Sequence, residues 1–411
     1  MDSRHGPRAT PETPSFLFSS GQRELHAHGI HRRIDTPASD GADPAGRFQH
    51  ALAQAFDDAR RAGVDDPLVV GAIPFDSSQP SALFVPQSHR WQALTPARDV
   101  RPISAGRLIY NDAVPDEAGF KHAVRHAIVN FEYSDVRKAV LSISRQLQFD
   151  APIDADTLQA NLRAQNRDGF LFRVSLPDDA TLIGVSPELL VRRHGPHLES
   201  NPLAGSIGRR PDPAGDEANA RQLLASEKDH YEHRLVVDDI RQHLTPICRT
   251  LDIPAQPSLL QTATLWHLST HLHGTLPDES RSALQLACLL HPTPAVCGVP
   301  TERARRLIRF VEAFDRGLFT GIVGWCNSRG DGEWIITIRC GVVRHDTLRV
   351  FAGAGIVAAS SPDTEWTEVQ TKLGTMLRAT GMDQTGRPTC LDDKPSSRAG
   401  NTPAPEALGA S

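Results

Sequence analysis

The stretch LFTGIVGWCNSRGDGEWIITIRCGVVRHDTLRVFAGAGI, residues 318–356, contains three apolar runs rich in β-branched residues. LFTGIVGWC, EWIITIRCGVV and LRVFAGAGI read as strands. The polar connections between them, NSRGDG and RHDT, are too short for a crossover helix, so neighbouring strands are antiparallel. In the alternating run WIITIRC, Arg339 falls on a face with Ile335 and Thr337. An arginine in an apolar strand is unfavourable to bury alone, which predicts a carboxylate opposite it in a cleft.

Further strands are expected at PLVVGAIPF (67–75), KAVLSISRQLQF (138–149), LFRVSL (171–176) and TLIGVSPELLVRR (181–193). Helical periodicity occupies FQHALAQAFDDARRAG, DEANARQLLASEKDHYEHRLVVDDIRQHL, TERARRLIRFVEAF and DTEWTEVQTKLGTMLRAT. Strand clusters with occasional helices and no regular βαβ beat give an α+β fold with mainly antiparallel sheets. No internal repeat or linker divides the chain. Residues 1–13 and 384–411 are rich in Pro, Gly, Ser and Thr and read as loose tails around one large domain, 14–383.

The 411 residues are 39% hydrophobic and 23% charged, enough apolar material for a sizeable core. A formal net charge of −5 gives no electrostatic case for nucleic acid or an anionic membrane as partner. No apolar run approaches the ~20 residues that span a bilayer, and no secretory signal opens the chain. Six scattered cysteines without a C-x-x-C pair read as reduced thiols of a cytoplasmic protein.

The chemistry concentrates near GAGIVAASSPDTEWTEVQTK, residues 353–372. Trp366, Val369, Leu373 and Met376 make a core-facing stripe, and Glu365, Glu368 and Lys372 a second one beside it. Ser361 or Asp363 is placed to cap this helix. Asp229 and Glu232, at i and i+3, form another acidic pair in SEKDHYEHRL. These acids suit either solvated helix faces or the oxygen ligands of Mg²⁺. The glycine-bearing turns NPLAGSIGRR (201–210) and FAGAGI (351–356) either reverse the chain or offer N–H groups to an anion. Lys138 and Glu188, at strand positions, read as ordinary paired charges or as a base and an acid tuned by partial burial. His267, His271 and His273 alternate as if on one strand face; they lack the companions of a zinc site, and His267 reads as part of a pocket wall.

SPELL, NPLAGSIGRRP, LASEKDHYEHRLV, TLWHLSTHLHG, LLHPTPAVCGVP and FAGAGIVAASSPDTEWTEVQTKL resemble, in order, the motif series of chorismate-utilising enzymes. The likeness is greatest to the isochorismate synthase branch of siderophore pathways. It implies one α+β domain of two stacked, mainly antiparallel sheets flanked by helices. It also implies a reaction, the Mg²⁺-dependent reversible conversion of chorismate to isochorismate. By the same resemblance Lys138 is the base that activates water, and Glu188 the acid that protonates the departing hydroxyl. Glu232 and Glu368 are the principal metal carboxylates, supported by Asp229 and Glu365. Gly205, Ser206, His267, Ala295, Phe319, Arg339, Gly353, Gly355 and Lys372 form the substrate site. Ala204 stands where aminodeoxychorismate synthases carry a nucleophilic lysine, and Lys138 is a residue that anthranilate synthases usually lack. Ala295 stands where salicylate synthases usually carry threonine, which favours release of isochorismate; salicylate and pyruvate are the alternative products. A monomer is expected, serving a downstream isochorismatase or pyruvate lyase.

Overall fold

Two long apolar runs of the sequence start in one sheet and finish in another. The computed structural model describes residues 13–94, 106–278 and 281–383, so the expected tails lie outside the described residues but for Thr13. The run 181–193, expected as one strand, forms Thr181–Ser186 in one large sheet and Leu189–His194 in the other. The run 333–343 does the same: Gly332–Ile336 belongs to the second sheet and Cys340–Arg344 to the first. The two runs stay side by side throughout, with Gly184 opposite Cys340 before the crossing and Leu189 opposite Ile335 after it. At the crossing, Val185 N–H donates to the Arg339 carbonyl (3.1 Å) and Ile336 N–H to the Glu188 carbonyl (3.2 Å). The backbone polar groups therefore remain paired through the bend. Arg339 accommodates it with φ of +49°, a left-handed conformation that strains a non-glycine residue.

The first sheet has ten strands. Its order is Gly298–Val299, Lys138–Phe149, Thr347–Ile356, Cys340–Arg344, Thr181–Ser186, Phe170–Ser175, Phe16–Ser20, Arg23–His28 and Ser88–Ala93, with Leu108–Val114 also paired to Lys138–Phe149. The nine-stranded second sheet runs Thr250–Asp252, Leu272–Thr275, His197–Asn201, Leu189–His194, Gly332–Ile336, Ile322–Asn327, Leu68–Ile73, Ala82–Val85 and Arg32–Ile34. A three-stranded sheet, Leu203–Gly208, Leu265–Ser269 and Ser258–Gln261, closes one side. The neighbours expected from the short NSRGDG and RHDT turns are indeed antiparallel.

Phe16, Phe172 and Phe351 of the first sheet meet Val70, Val323 and Ile335 of the second in the inter-sheet core. Phe120, Leu158, Ile308 and Leu373, from four helices, cover the outer face of the first sheet, and Phe48, Val236 and Leu284, from three others, cover the second. The architecture is the α+β stack of two sheets between helices.

Two helical expectations need correction. The periodic run 216–244 is two helices, Pro213–Ala225 and Glu227–Leu244. Ser226 breaks it, its hydroxyl accepting from Asp229 N–H (3.2 Å) as the cap of the second. In the final helix, Pro362–Ala379, Ser361 holds the cap position without a side-chain capping bond, and Asp363, inside the first turn, pairs instead with Lys121 (2.6 Å). Its apolar stripe stands: Val369, Leu373 and Met376 are buried, and Trp366 rests against Phe120.

Candidate active site

Where the two runs cross between sheets, a cavity of about 60 Å³ opens. The crossings contribute Glu188 and Arg339, and the small sheet contributes Gly205, Ser206 and His267. Gly353 and Gly355 come from the Thr347–Ile356 strand, Glu232 from the 227–244 helix, and Glu368 and Lys372 from the final helix. Ala295 and Phe319, from connecting segments, complete this set. Lys138, Asp229 and Glu365 stand behind the wall rather than in it. A larger cleft, about 440 Å³, adjoins the cavity and shares Pro187 and Arg339 with it.

The crossing residues have almost no protein partners. Arg339 is 9% exposed, yet its guanidinium makes no hydrogen bond or ion pair to any described residue. Burial lowers it to about 10, against the charges of Glu368 and Glu188, so it stays a cation at neutral pH. The expected facing carboxylate is thus felt at a distance and not bound. Glu188 is buried with one long bond, from Leu203 N–H at 3.4 Å. Burial raises its carboxyl to about 7, against that bond and the charges of Lys138, Arg339 and Lys372. His267 is also buried, and desolvation holds it neutral, well below its usual range. The idea of three histidines on one face fails: His273 belongs to the second large sheet, His271 to the connection, and both are exposed.

The glycines serve close approach. Gly353 and Gly355 lie inside a strand, opposite Ser142 and Val140, and not in a turn after it. A Cβ on Gly355 would come within 2.1 Å of Glu232 Oε1 and 2.9 Å of Lys138 Cε. Only a bare backbone lets this lysine and carboxylate meet beneath the strand. Gly205 sits at an irregularity between Ala204 and Ser206, with φ of +76° and Asp229 Cβ 2.9 Å from where its own Cβ would stand.

The helix-borne acids, by contrast, are each held by a cation or close to one. Fully buried Lys138 places Nζ 3.0 Å from Glu232 Oε1, a charge contact without hydrogen-bond alignment. Lys372 reaches Glu368 at 2.5 Å and donates to the Gly353 carbonyl at 2.9 Å, while Ser206 Oγ donates to Glu368 at 2.9 Å. Lys372 and Ser206, expected on substrate, are thus engaged with Glu368. Glu365 has no exposure at all and meets Lys228 at 2.8 Å, leaving Oε2 without a partner. Burial and repulsion from Glu368 raise the Glu365 carboxyl, and burial raises Asp229, with Glu232 and Glu368 adding to it. Lys228 was not singled out in the sequence; its i, i+4 spacing to Glu232 was the available signal.

The profile of the chorismate binding enzymes matches residues 73–381. The chain belongs to that family. Among similar chorismate-binding relatives, the isochorismate synthase DhbC of Bacillus subtilis (strain 168) is 43% identical over 90% of this chain and 94% of its own. The isochorismate synthase EntC of Escherichia coli (strain K12) is 44% identical over 91% and 96%. Among solved structures of the family, a putative 2,3-dihydroxybenzoate-specific isochorismate synthase, DhbC from Bacillus anthracis, has a TM-score of 0.84 at 40% identity and covers 90% of this chain and 97% of its own.

Whether this cavity suits a metal is a question of donors. Asp229, Glu232, Glu365 and Glu368 offer only carboxylate oxygens, which hard divalent cations prefer, and Glu365 Oε2 is an orphaned buried acceptor. Among the described residues no group of three or more His, Cys, Asp or Glu side chains is arranged to hold an ion as it stands. Lysines occupy that role, and the donor chemistry fits once they yield.

Proposed function

We propose that this chain is an isochorismate synthase, adding water at C2 of chorismate as the C4 hydroxyl leaves. The observation that carries the reading is the pairing at the crossings: a carboxyl poised near neutrality beside a buried guanidinium without a bonded partner among the described residues. Chorismate is a dicarboxylate, and a buried arginine with an open fork is suited to one such group. With its carboxyl raised to about 7, Glu188 keeps its proton in a large share of molecules near neutral pH, and that form delivers it to the departing C4 oxygen. Lys138 is the residue assigned to take the proton from the attacking water; it does so only as the free amine, turned from Glu232, because an ammonium has no lone pair to accept with. Neutral His267 and the ring of Phe319, which stacks on Phe351 at 5.0 Å, bound the apolar side of the substrate. Backbone near Gly205, Gly353 and Gly355, with Ser206, Ala295 and Lys372, lines the remainder.

The cofactor of this reading is Mg²⁺, held by Glu232 and Glu368 with Asp229 and Glu365 in support. Bound there, it supplies positive charge for a substrate carboxylate in a site otherwise rich in acids. Residues 14–383 are the catalytic domain, working as a monomer in the cytoplasm. Five described cysteines are free, which suits that compartment, and no helix of the described residues is long and apolar enough to cross a membrane. The product feeds siderophore synthesis through an isochorismatase or a pyruvate lyase. The test is to incubate the protein with chorismate and Mg²⁺, then with EDTA, and to identify products by mass and NMR. A chorismate–isochorismate mixture that EDTA prevents is expected. Salicylate with pyruvate, or no conversion, overturns the assignment.

A further inference from the structure

The strand Lys138–Phe149 has a gap along one edge. Gly298 and Val299 pair with its first two residues, and Leu108–Val114 pairs from Ser144 onward. Between them the edge polar groups of Val140 and Ser142 need other partners. Val140 N–H donates to the Cys297 carbonyl (2.7 Å), and an arginine–glutamate pair meets the Val140 carbonyl and the Ser142 N–H. Arg316 Nη2 donates to the Val140 carbonyl at 2.8 Å, and Glu312 Oε1 accepts from Ser142 N–H at 2.8 Å.

Arg316 uses all five of its N–H donors. Nε and Nη2 hold the two oxygens of Glu312 at 2.8 and 2.5 Å, and Nη1 donates to the Val296 carbonyl (2.8 Å) and Thr320 Oγ1 (3.2 Å). The guanidinium lies over the Phe75 ring at 4.5 Å and is almost wholly buried. Val140, Val296 and Thr320 each line the cavity, and they come from three separate segments. Thr320 is held there with φ of +58°.

We infer that Arg316, braced by Glu312, is a positioning residue that clamps three segments of the cavity wall into one surface. It takes the place of a missing edge strand next to Lys138 and fixes the segment carrying Ala295. The inference rests on the chorismate reading only for what the wall contacts.

The test uses the full chain with Arg316→Met and Glu312→Met together, so that no buried charge is left alone, and separately Arg316→Lys. Exchanging the ion pair for apolar residues leaves no buried charge alone, but the Val140 and Val296 carbonyls and the Ser142 N–H lose their partners, so the double variant should stay folded and melt at a lower temperature. KM for chorismate should rise about tenfold with kcat changed less than about threefold. Arg316→Lys keeps the charge but lacks the fork, so it should not restore KM. Amide hydrogen exchange needs no substrate: segments 138–144, 293–299 and 317–321 should exchange faster in the double variant and the outer helices should not. A folded double variant with wild-type KM and wild-type exchange overturns the inference. So does a fall in melting temperature with KM unchanged, which marks the pair as structural only. If the wild type leaves chorismate untouched, the function fails, and the exchange result still decides the clamp.

Discussion

The cavity has two halves that treat charge in opposite ways. In the strand-borne half, Glu188 and Arg339 stand at two bends between sheets, buried and all but unpartnered. In the helix-borne half, Glu232, Glu368 and Glu365 are each met by a lysine from this chain. An unpaired buried charge is unfavourable for the empty protein and is relieved when substrate brings the opposite charge. The paired acids carry no such penalty; they are stored neutralised, and a cation has to compete with ammonium groups for them. The difference teaches that the strand half is shaped for substrate and chemistry, and the helix half for charge that can be exchanged.

Breaking the strand half should have the largest effect. Glu188→Gln preserves shape and removes the proton, so turnover should fall by about 10²–10⁴ with an unchanged melting temperature. Lys138→Ala should lose as much activity and also destabilise the fold, since Glu232 would keep a buried charge with no partner at 3.0 Å. Next, Arg339→Lys should lower kcat/KM by roughly 10-fold to 100-fold, mostly through KM, because an ammonium cannot reproduce a planar fork. The pH profile sharpens the same half: activity should decline above about 7, where Glu188 loses its proton, and the decline should be lost from the residual rate of Glu188→Gln. The stability sign is also fixed. With its carboxyl raised from 4.5 to about 7, Glu188 contributes stability that is full below 4.5 and lost as pH rises through 7. In the helix half, Glu368→Gln should mainly raise the Mg²⁺ concentration needed for half-maximal activity, read by metal titration. The smallest effect should come from Gly208→Ala. Gly208 ends the strand Leu203–Gly208 with open space at its Cβ position, so stability and KM should stay within about 0.5 kcal/mol of wild type.

Much of this was legible in residue order. Strand identity and antiparallel pairing near 318–356 follow from short polar turns, and the core stripe of the final helix follows from its period. Twelve of the fifteen residues singled out as site candidates line one cavity, and the resemblance carried most of that convergence. What residue order hid was the bends. TLIGVSPELLVRR and EWIITIRCGVV each read as one continuous strand although the two halves pack in different sheets, so residue order reports one strand where the chain makes two. Hidden too were the lysine partners, because ion pairing across 137 residues, as between Lys228 and Glu365, leaves no mark in local spacing. Gly353 and Gly355 looked like a turn because glycine signals freedom; here Gly355 signals a carboxylate and a lysine pressed beneath a strand, and Gly353 the close approach of Ser142 on the neighbouring strand.

The account's central claim is that water is activated on one side of chorismate while Glu188 protonates the leaving hydroxyl on the other. The direct measurement is the reaction in ¹⁸O-labelled water, with product analysed by mass spectrometry and NMR. The account predicts isochorismate carrying one solvent oxygen, located at C2. Isochorismate formed without solvent oxygen would mean that the hydroxyl migrates within the substrate, and the assigned roles of Lys138 and Glu188 would be wrong.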